Sequence, residues 1–379
     1  MKIRSVSDPT LPERARALPG LELLAGVRGV FLVGGAVRDL LRAETSEDLD
    51  LAVEGELGPV LARRGEPAAR HERFGTATVI VGGRRIDLAH TRAESYPRPG
   101  ALPEVRPAGI GEDLRRRDFT VNTLALDLAS GELRSVPGAE ADLAAGRLRV
   151  LHPRSFADDP TRLLRMARYA GRLGFRVEEE TGARARAAVC GGALGTVSGP
   201  RIGTEVGLLA REPLAAWAAL RELGADEAII PGFGLRDPDL AARALGRLGP
   251  DDHPDRVVLA LVFAGVEDPH ALARRLGLPA PEPVVAVRGR SRTEVADALR
   301  SPEQAAIAAA LGGEEEAGWW LEEGRRLALE ITGDDLRAAG VAPGPEMGRA
   351  LRAVLAAKRE GEVSGRPAEL ALALRILGA

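Results

Sequence analysis

The chain has 379 residues, 45% hydrophobic and 28% charged, with a formal net charge of −3. That length suits two to four compact units, and the charge balance does not mark a strongly basic nucleic-acid binder. A single cysteine, Cys190, excludes an internal disulfide, and no apolar run approaches the ~20 residues of a membrane-spanning helix.

In chain order, residues 1–28 read as a leader helix, with Leu11 to Leu24 feeding a first strand. The charged, proline-broken start MKIRSVSDPTLPERAR is not a secretory signal, and the single cysteine fits a reducing cytoplasm. Phe31-Leu32-Val33 is a short apolar run of buried-strand type. Gly34-Gly35 breaks it and allows close approach of a ligand to the backbone. Ala36–Arg42 has Val37, Leu40 and Leu41 at helical spacing, so the glycine turn opens a helix N-terminus suited to phosphate. Asp48-Leu49-Asp50-Leu51 alternates at strand period, which points both carboxylates to one face. Paired carboxylates repel unless a cation is held between them, and hard oxygen ligands suit Mg²⁺. Two solvated surface acids have the same spacing; the glycine turn and Arg38-Asp39 just upstream favour the metal platform.

Thr76–Val81, the turn Gly82-Gly83 and Arg85–Ala89 read as a hairpin. It carries Asp87 as a candidate third carboxylate, with a solvated strand acid as the alternative. A helix and a strand at Glu132–Val136 complete an α+β unit. Between them, Glu112–Asn122 contains Arg115-Arg116-Arg117-Asp118, a positive patch that can neutralise a triphosphate or lie as a solvated face. Only Lys2 and Lys358 are lysines, so the cations are almost all planar, bidentate guanidinium groups. Aromatic residues are only 3% of the chain, which argues against gripping RNA mainly by stacking.

From about residue 155 the pattern is helical. In Asp158-Asp159-Pro160-Thr161-Arg162, Asp158 is expected to cap a helix and Pro160 to open its first turn. Asp159, Arg162, Arg165 and Arg168 step by three and form an expected exposed row opposite Leu163, Leu164, Ala167 and Ala170. A carboxylate and a guanidinium so placed can read a base that offers an amine beside an acceptor, as cytosine and adenine do. They can equally form a surface ion pair worth ~0.5 kcal/mol.

Taken together and in this order, the motifs resemble those of the class II tRNA nucleotidyltransferases, the CCA-adding enzymes and bacterial poly(A) polymerases of the DNA polymerase beta superfamily. Gly34–Asp39 with Asp48-Leu49-Asp50 resembles the first motif, and Arg116–Asn122 the second. Gly138–Leu143 with Gly146 and Arg149 resembles the hinge motif, and Asp158–Arg165 the nucleotide-selecting one. Ser198–Ile202 with Glu205 resembles the last, with Pro200 in place of the usual acidic residue. Residues 331–351 resemble the family's tail segment.

The resemblance implies an α+β fold: a polymerase-beta-like palm (head, 1–153), then a helical neck (154–215) and a helical, tRNA-binding body and tail (216–379). It implies Mg²⁺ held by Asp48 and Asp50, with Asp87 completing the catalytic carboxylates. Gly35 and Arg38 would touch the triphosphate, and Arg117, Arg165 and Arg168 would line the nucleotide pocket. Asp159 and Arg162 would select CTP or ATP for addition to the tRNA 3′ end. CC-only, A-only and poly(A) activities share these parts, and their choice is expected to depend on a loop within Leu57–Ser95, including Arg63–Phe74, and on a few neck residues. A metal-dependent glycosyltransferase and a non-catalytic RNA-binding protein are the readings from other classes.

Overall fold

The computed structural model describes residues 10–21, 24, 26–44, 49–61, 69–71, 76–81 and 84–378. Its contacts divide the chain into two units, Met1–Pro231 and Gly232–Ala379. In the first unit the described elements are, in order, α1 (Leu11–Arg16), β1 (Val30–Val33), α2 (Gly35–Leu41), β2 (Leu49–Val53) and α3 (Gly58–Leu61). Next come β3 (Ala69–His71), β4 (Thr76–Val81), β5 (Arg84–His90), β6 (Arg92–Ser95), β7 (Glu104–Pro107), α4 (Ile110–Arg115), β8 (Leu124–Asp127) and β9 (Leu133–Ser135). After α5 (Ala139–Ala144) and β10 (Arg147–Leu148) the chain is almost wholly helical. It runs through α6 (Ser155–Asp158), α7 (Arg162–Leu173), the short β11 (Arg176–Val177), α8 (Glu179–Cys190), α9 (Gly199–Leu209), α10 (Leu214–Glu222) and α11 (Ala225–Ile229).

The expected leader helix is shorter than its apolar spacing suggests. It stops at Arg16, ahead of Pro19 and of Gly20 at φ 94°, and the chain then advances by turns toward β1. Proline lacks the amide that would continue the ladder.

The described strands form a seven-stranded sheet in the order β3-β4-β5-β2-β1-β8-β9. Strand β1 reads as expected from its apolar run and is buried at all four positions; its neighbour β8, equally buried, was not expected from the sequence. Strand β2 is buried everywhere except at Asp50. Phe31, Val33, Ala52, Ile110, Leu114 and Ala125 make one apolar cluster between α4 and the sheet. Strand β2 runs parallel to β5 with Asp50 opposite Asp87, and β4–β5 is the expected antiparallel hairpin. The pair β6–β7 was not foreseen; its exposed, proline-flanked sequence lacks a clean alternation.

In the second unit the helices are α12 (Pro238–Leu245), α13 (Pro254–Phe263), α14 (Pro269–Leu276), α15 (Arg292–Ala298), α16 (Pro302–Ala310) and α17 (Glu314–Glu322), then α18 (Gly333–Ala338), α19 (Pro345–Arg359) and α20 (Arg366–Leu377). Its apolar clusters include one around Val287, Val295, Leu299 and Trp320 and another around Ile331, Leu336, Met347 and Val354. Lys358 on α19 reaches the fully buried Glu369 of α20 at 2.6 Å, so this carboxylate is paired rather than isolated. Among the described residues no helix is long and apolar enough to cross a membrane.

Helices α7 and α10 cross at Gly171, where a Cβ would lie 2.5 Å from the backbone nitrogen of Ala216. Helix propensity alone favours alanine there by ~1 kcal/mol, but the backbone of α10 cannot yield as a side-chain tip does. Gly171→Ala is therefore expected to lower stability by about 1–3 kcal/mol, read from the urea unfolding midpoint. A stabilised variant would show that the crossing is looser than this.

Candidate active site

A cavity of about 660 Å³ opens in the first unit. One wall is the turn between β1 and α2. Gly34 sits at φ 66°, and a Cβ there would come within 2.8 Å of Arg117 Nη1. The positive φ favours glycine there, and a side chain would also displace the guanidinium lying over the turn. The floor is the sheet. Asp50 and Asp87 are register partners on parallel strands, so both carboxylates leave the same face, and both line the cavity. Asp87 is held by Thr78 Oγ1 and by Arg85 at 2.9 Å. Two like charges side by side on a strand pair are a fitting platform for a cation with oxygen ligands.

A second wall, adjoining the turn through Arg117, is built on arginines that carboxylates hold in place. Asp113, on α4, pairs with Arg116 at 2.8 Å and Arg117 at 3.0 Å. Burial alone raises the Asp113 carboxyl, but the Arg117 and Arg116 guanidinium groups overcome this and leave it below its usual value. Glu94 on β6 takes a second bond from Arg116 at 3.0 Å and accepts from Tyr96 Oη at 3.1 Å. Burial first, and then Glu94, push the Tyr96 phenol up to about 12, so it stays a donor at neutral pH.

A chain of charges runs from the buried Arg38 along the cavity and out of it again to Arg168. Arg38 Nη1 donates to Asn122 Oδ1 at 2.7 Å, and Asn122 Nδ2 donates to Asp118 Oδ1 at 3.0 Å. Asp118 Oδ2 receives both Nε and Nη2 of Arg165, at 2.9 and 2.6 Å. Glu205 on α9 then bridges Arg165 and Arg168, and Glu212 takes Arg168 from the far side. Burial works to raise the Asp118 carboxyl, but Arg165, Asn122 and the Phe119 amide outweigh it and bring it to about 2. Arg165 is correspondingly raised well above the normal guanidinium value, chiefly by Asp118.

Of the residues expected in the site, Gly35, Asp50, Asp87, Arg117, Asp159, Arg162 and Arg165 line the cavity. Asp48 lies outside the described residues. Arg38 and Arg168 do not line it. Arg38 is 3% exposed and bound to Asp39 and Asn122, while Arg168 is 7% exposed between Glu205 and Glu212. The row from 159 to 168 is therefore not an exposed stripe: Ser155 Oγ and the Arg116 carbonyl draw Arg162 inward, Asp118 draws Arg165, and Glu205 and Glu212 draw Arg168. Asp158 does not cap α7 either. It ends the separate helix α6, and α7 starts after Thr161, with Asp159 between them accepting from the Thr161 amide.

Tyr96, Tyr169, Asp118 and Asn122 also line the cavity and were not singled out. Asp118 and Asn122 belong to the Arg116–Asn122 motif. Tyr169 gave no signal, yet the guanidinium carbons of Arg38, Arg165 and Arg172 lie 5.8, 5.7 and 5.1 Å from its ring centroid.

Comparison with known proteins adds to this geometry. The model of the poly(A) polymerase head domain matches residues 30–149. The A-adding tRNA nucleotidyltransferase of Halalkalibacterium halodurans is 39% identical over 60% of this chain and 56% of its own length. The chain thus spans about half of that relative. The CC-adding tRNA nucleotidyltransferase of Deinococcus radiodurans is 35% identical over 92% of this chain and 89% of its own. A CCA-adding enzyme in an apo form superposes with a TM-score of 0.81 at 26% identity, over 99% of this chain and 100% of that one. Similar folds include CCA-adding enzymes solved with tRNA, CTP and ATP.

The depressed Asp118 carboxyl makes a signed prediction. A lowered folded-state value stabilises fully above the unfolded value near 4, and that contribution is lost as the pH falls through about 2. The stability gap between wild type and Asp118→Asn, from urea unfolding, should be constant between pH 7 and 5. It should narrow by about 2 kcal/mol toward pH 2. A gap that does not change with pH would mean that Asp118 is not ionised in the fold.

Proposed function

The chain belongs to the tRNA nucleotidyltransferase family, and we propose that it adds CMP, AMP or both, from CTP and ATP, to the 3′ end of tRNA with release of pyrophosphate. The observation that carries this reading is one cavity shared by two groups of residues. The strand acids Asp50 and Asp87 lie on it together with the turn at Gly34-Gly35, Asp159, Arg162 and Arg165. A triphosphate and its base can therefore meet both groups at once.

In this reading Gly35 and Arg117 receive the triphosphate at the turn, where backbone amides and a guanidinium suit phosphate oxygens. Arg165 lines the nucleotide pocket. Arg38 and Arg168 act from behind, by fixing Asn122 and Glu205. Asp159 accepts from the exocyclic amine of cytosine or adenine while Arg162 donates to the neighbouring ring acceptor, so that uracil and guanine present a carbonyl to a carboxylate. Enzymes of this family generally use a divalent metal. Asp48 and Asp50 would hold Mg²⁺, with Asp87 completing the carboxylates. When bound, the ion lowers the pKa of the attacking 3′-hydroxyl and stabilises charge on the α-phosphate and the leaving pyrophosphate. Residues 1–153 would act as the head and 154–215 as the neck. Residues 216–379 would be the body and tail that hold tRNA by shape and phosphate contacts. The cytoplasm is the proposed setting.

A partial activity is the second reading, favoured by the A-adding and CC-adding relatives. Incubation with Mg²⁺, α-labelled CTP or ATP, and tRNA ending at position 73, 74 or 75 separates these possibilities. Reaction at all three ends identifies CCA addition, reaction at the first two with CTP alone identifies CC addition, and reaction at the last with ATP alone identifies A addition. A long A tail on any RNA would identify a poly(A) polymerase. No incorporation at all would remove the enzymatic reading.

Asp48→Ala is expected to abolish transfer while tRNA retention on a filter stays near wild type; turnover that survives would end the metal assignment. Arg162→Ala is expected to relax base choice more than it raises the KM for the triphosphate. Unchanged selectivity among the four nucleotides would remove the role given to this residue.

A further inference from the structure

Asp159 sits ahead of α7 in extended backbone, at φ −135° and ψ 94°, so no helix fixes its side chain. Three donors do. The Thr161 amide at 3.1 Å, Thr161 Oγ1 at 2.7 Å and Arg201 Nη2 at 2.8 Å all converge on Oδ1. Among the described residues, Oδ2 receives no hydrogen bond. A carboxylate without such restraint turns about its terminal torsion and presents either oxygen. Restrained, it offers one acceptor in one direction.

Arg201 is itself braced. It lies in the first turn of α9, and its Nη1 donates to the carbonyl of Gly100 at 2.8 Å. Gly100 is in the connection between β6 and β7, residues 96–103, which carries Pro97, Pro99 and Pro103. It sits at φ 69°, where a Cβ would lie 2.2 Å from Thr196 Oγ1 and 2.7 Å from the Thr196 carbonyl. Its amide donates to Ala157 of α6 at 3.1 Å. This strap is thus pinned on three sides, and Tyr96 and Pro103 near its ends face the cavity. From Tyr96 the path continues through Glu94 to Arg116, whose carbonyl accepts from Arg162 at 2.8 Å.

We propose that Arg201, braced by the Gly100 carbonyl of the strap, is a positioning residue for nucleotide choice: it holds Oδ1 of Asp159 so that Oδ2 alone meets the exocyclic amine of the incoming base. The proposal rests on the reading of Asp159 and Arg162 as base-selecting groups. Ser198–Ile202, to which the sequence alone assigned no role, thereby acts on the base without touching it.

The test measures kcat/KM for each of the four nucleoside triphosphates with Mg²⁺ and the tRNA end that reacts. The proteins are wild type, Asp159→Ala, Arg201→Gln, Arg201→Lys, Gly100→Ala and the double variant Asp159→Ala/Arg201→Gln. Arg201→Gln and Gly100→Ala should each lower discrimination against the wrong bases by about tenfold, with a much smaller change in KM for the preferred triphosphate. Arg201→Lys, which keeps the charge, should recover part of the loss. In the Asp159→Ala background, Arg201→Gln should add nothing. If Asp159→Ala relaxes discrimination while Arg201→Gln leaves it intact, or if the two effects simply add, the positioning role is overturned and the base-selecting reading stands. If Asp159→Ala itself leaves discrimination intact, that reading falls instead. Circular dichroism checks the fold; should Gly100→Ala not fold, the partly exposed Arg201 variants decide the matter by themselves.

Discussion

Asp118 is a buried carboxylate, and it is tolerable only because Arg165 meets it with two nitrogens while Asn122 and a backbone amide take its other oxygen. The arrangement of the site follows from that pairing. Arg165 belongs to α7, and Asp118 belongs to the loop between α4 and β8. Their ion pair ties the cavity-lining start of α7 to the segment that leads into the sheet carrying Asp50. Through Asn122 the tie reaches Arg38 under the glycine turn, and through Glu205 it reaches Arg168 and α9. Partial removal of such a network leaves a buried charge exposed to low dielectric, so its members stand or fall together.

Arginine suits this construction better than lysine would. Arg116 spans Asp113 and Glu94, Arg165 spans Asp118 and Glu205, and Arg201 spans Asp159 and a carbonyl. Each uses the planar fork to hold two acceptors in fixed directions, which a single ammonium point charge cannot do. The near absence of lysine is compatible with a bias in coding as well, but the site makes use of the geometry that results.

The sheet supplies the second constraint. A parallel register fixes Asp50 beside Asp87, and a one-residue slip would turn one of them to the opposite face. The strand pays no attention to charge elsewhere: β2 is otherwise buried, so Asp50 is the one polar position it exposes. The acids thus sit on strands, while Asp159 precedes α7 and Arg162 begins it.

Local pattern was enough for much of this. Strand period at residues 48–51, the glycine pair after an apolar run, the hairpin around Gly82-Gly83 and the helical second half are all short-range signals, and the α+β class and the places of Gly35, Asp50 and Asp87 follow from them. What the sequence could not determine was which polar groups face one another across long separations. The spacing of Arg162, Arg165 and Arg168 defines a stripe on a helix, but whether that stripe meets solvent or carboxylates depends on where α9 and the segment carrying Glu212 pack. Arg38 reads as a ligand group beside a glycine turn until Asn122, far along the chain, claims it. The tertiary structure alone decided these partners, because an ion pair is set by distance in space and a side chain's period records only the face it leaves from.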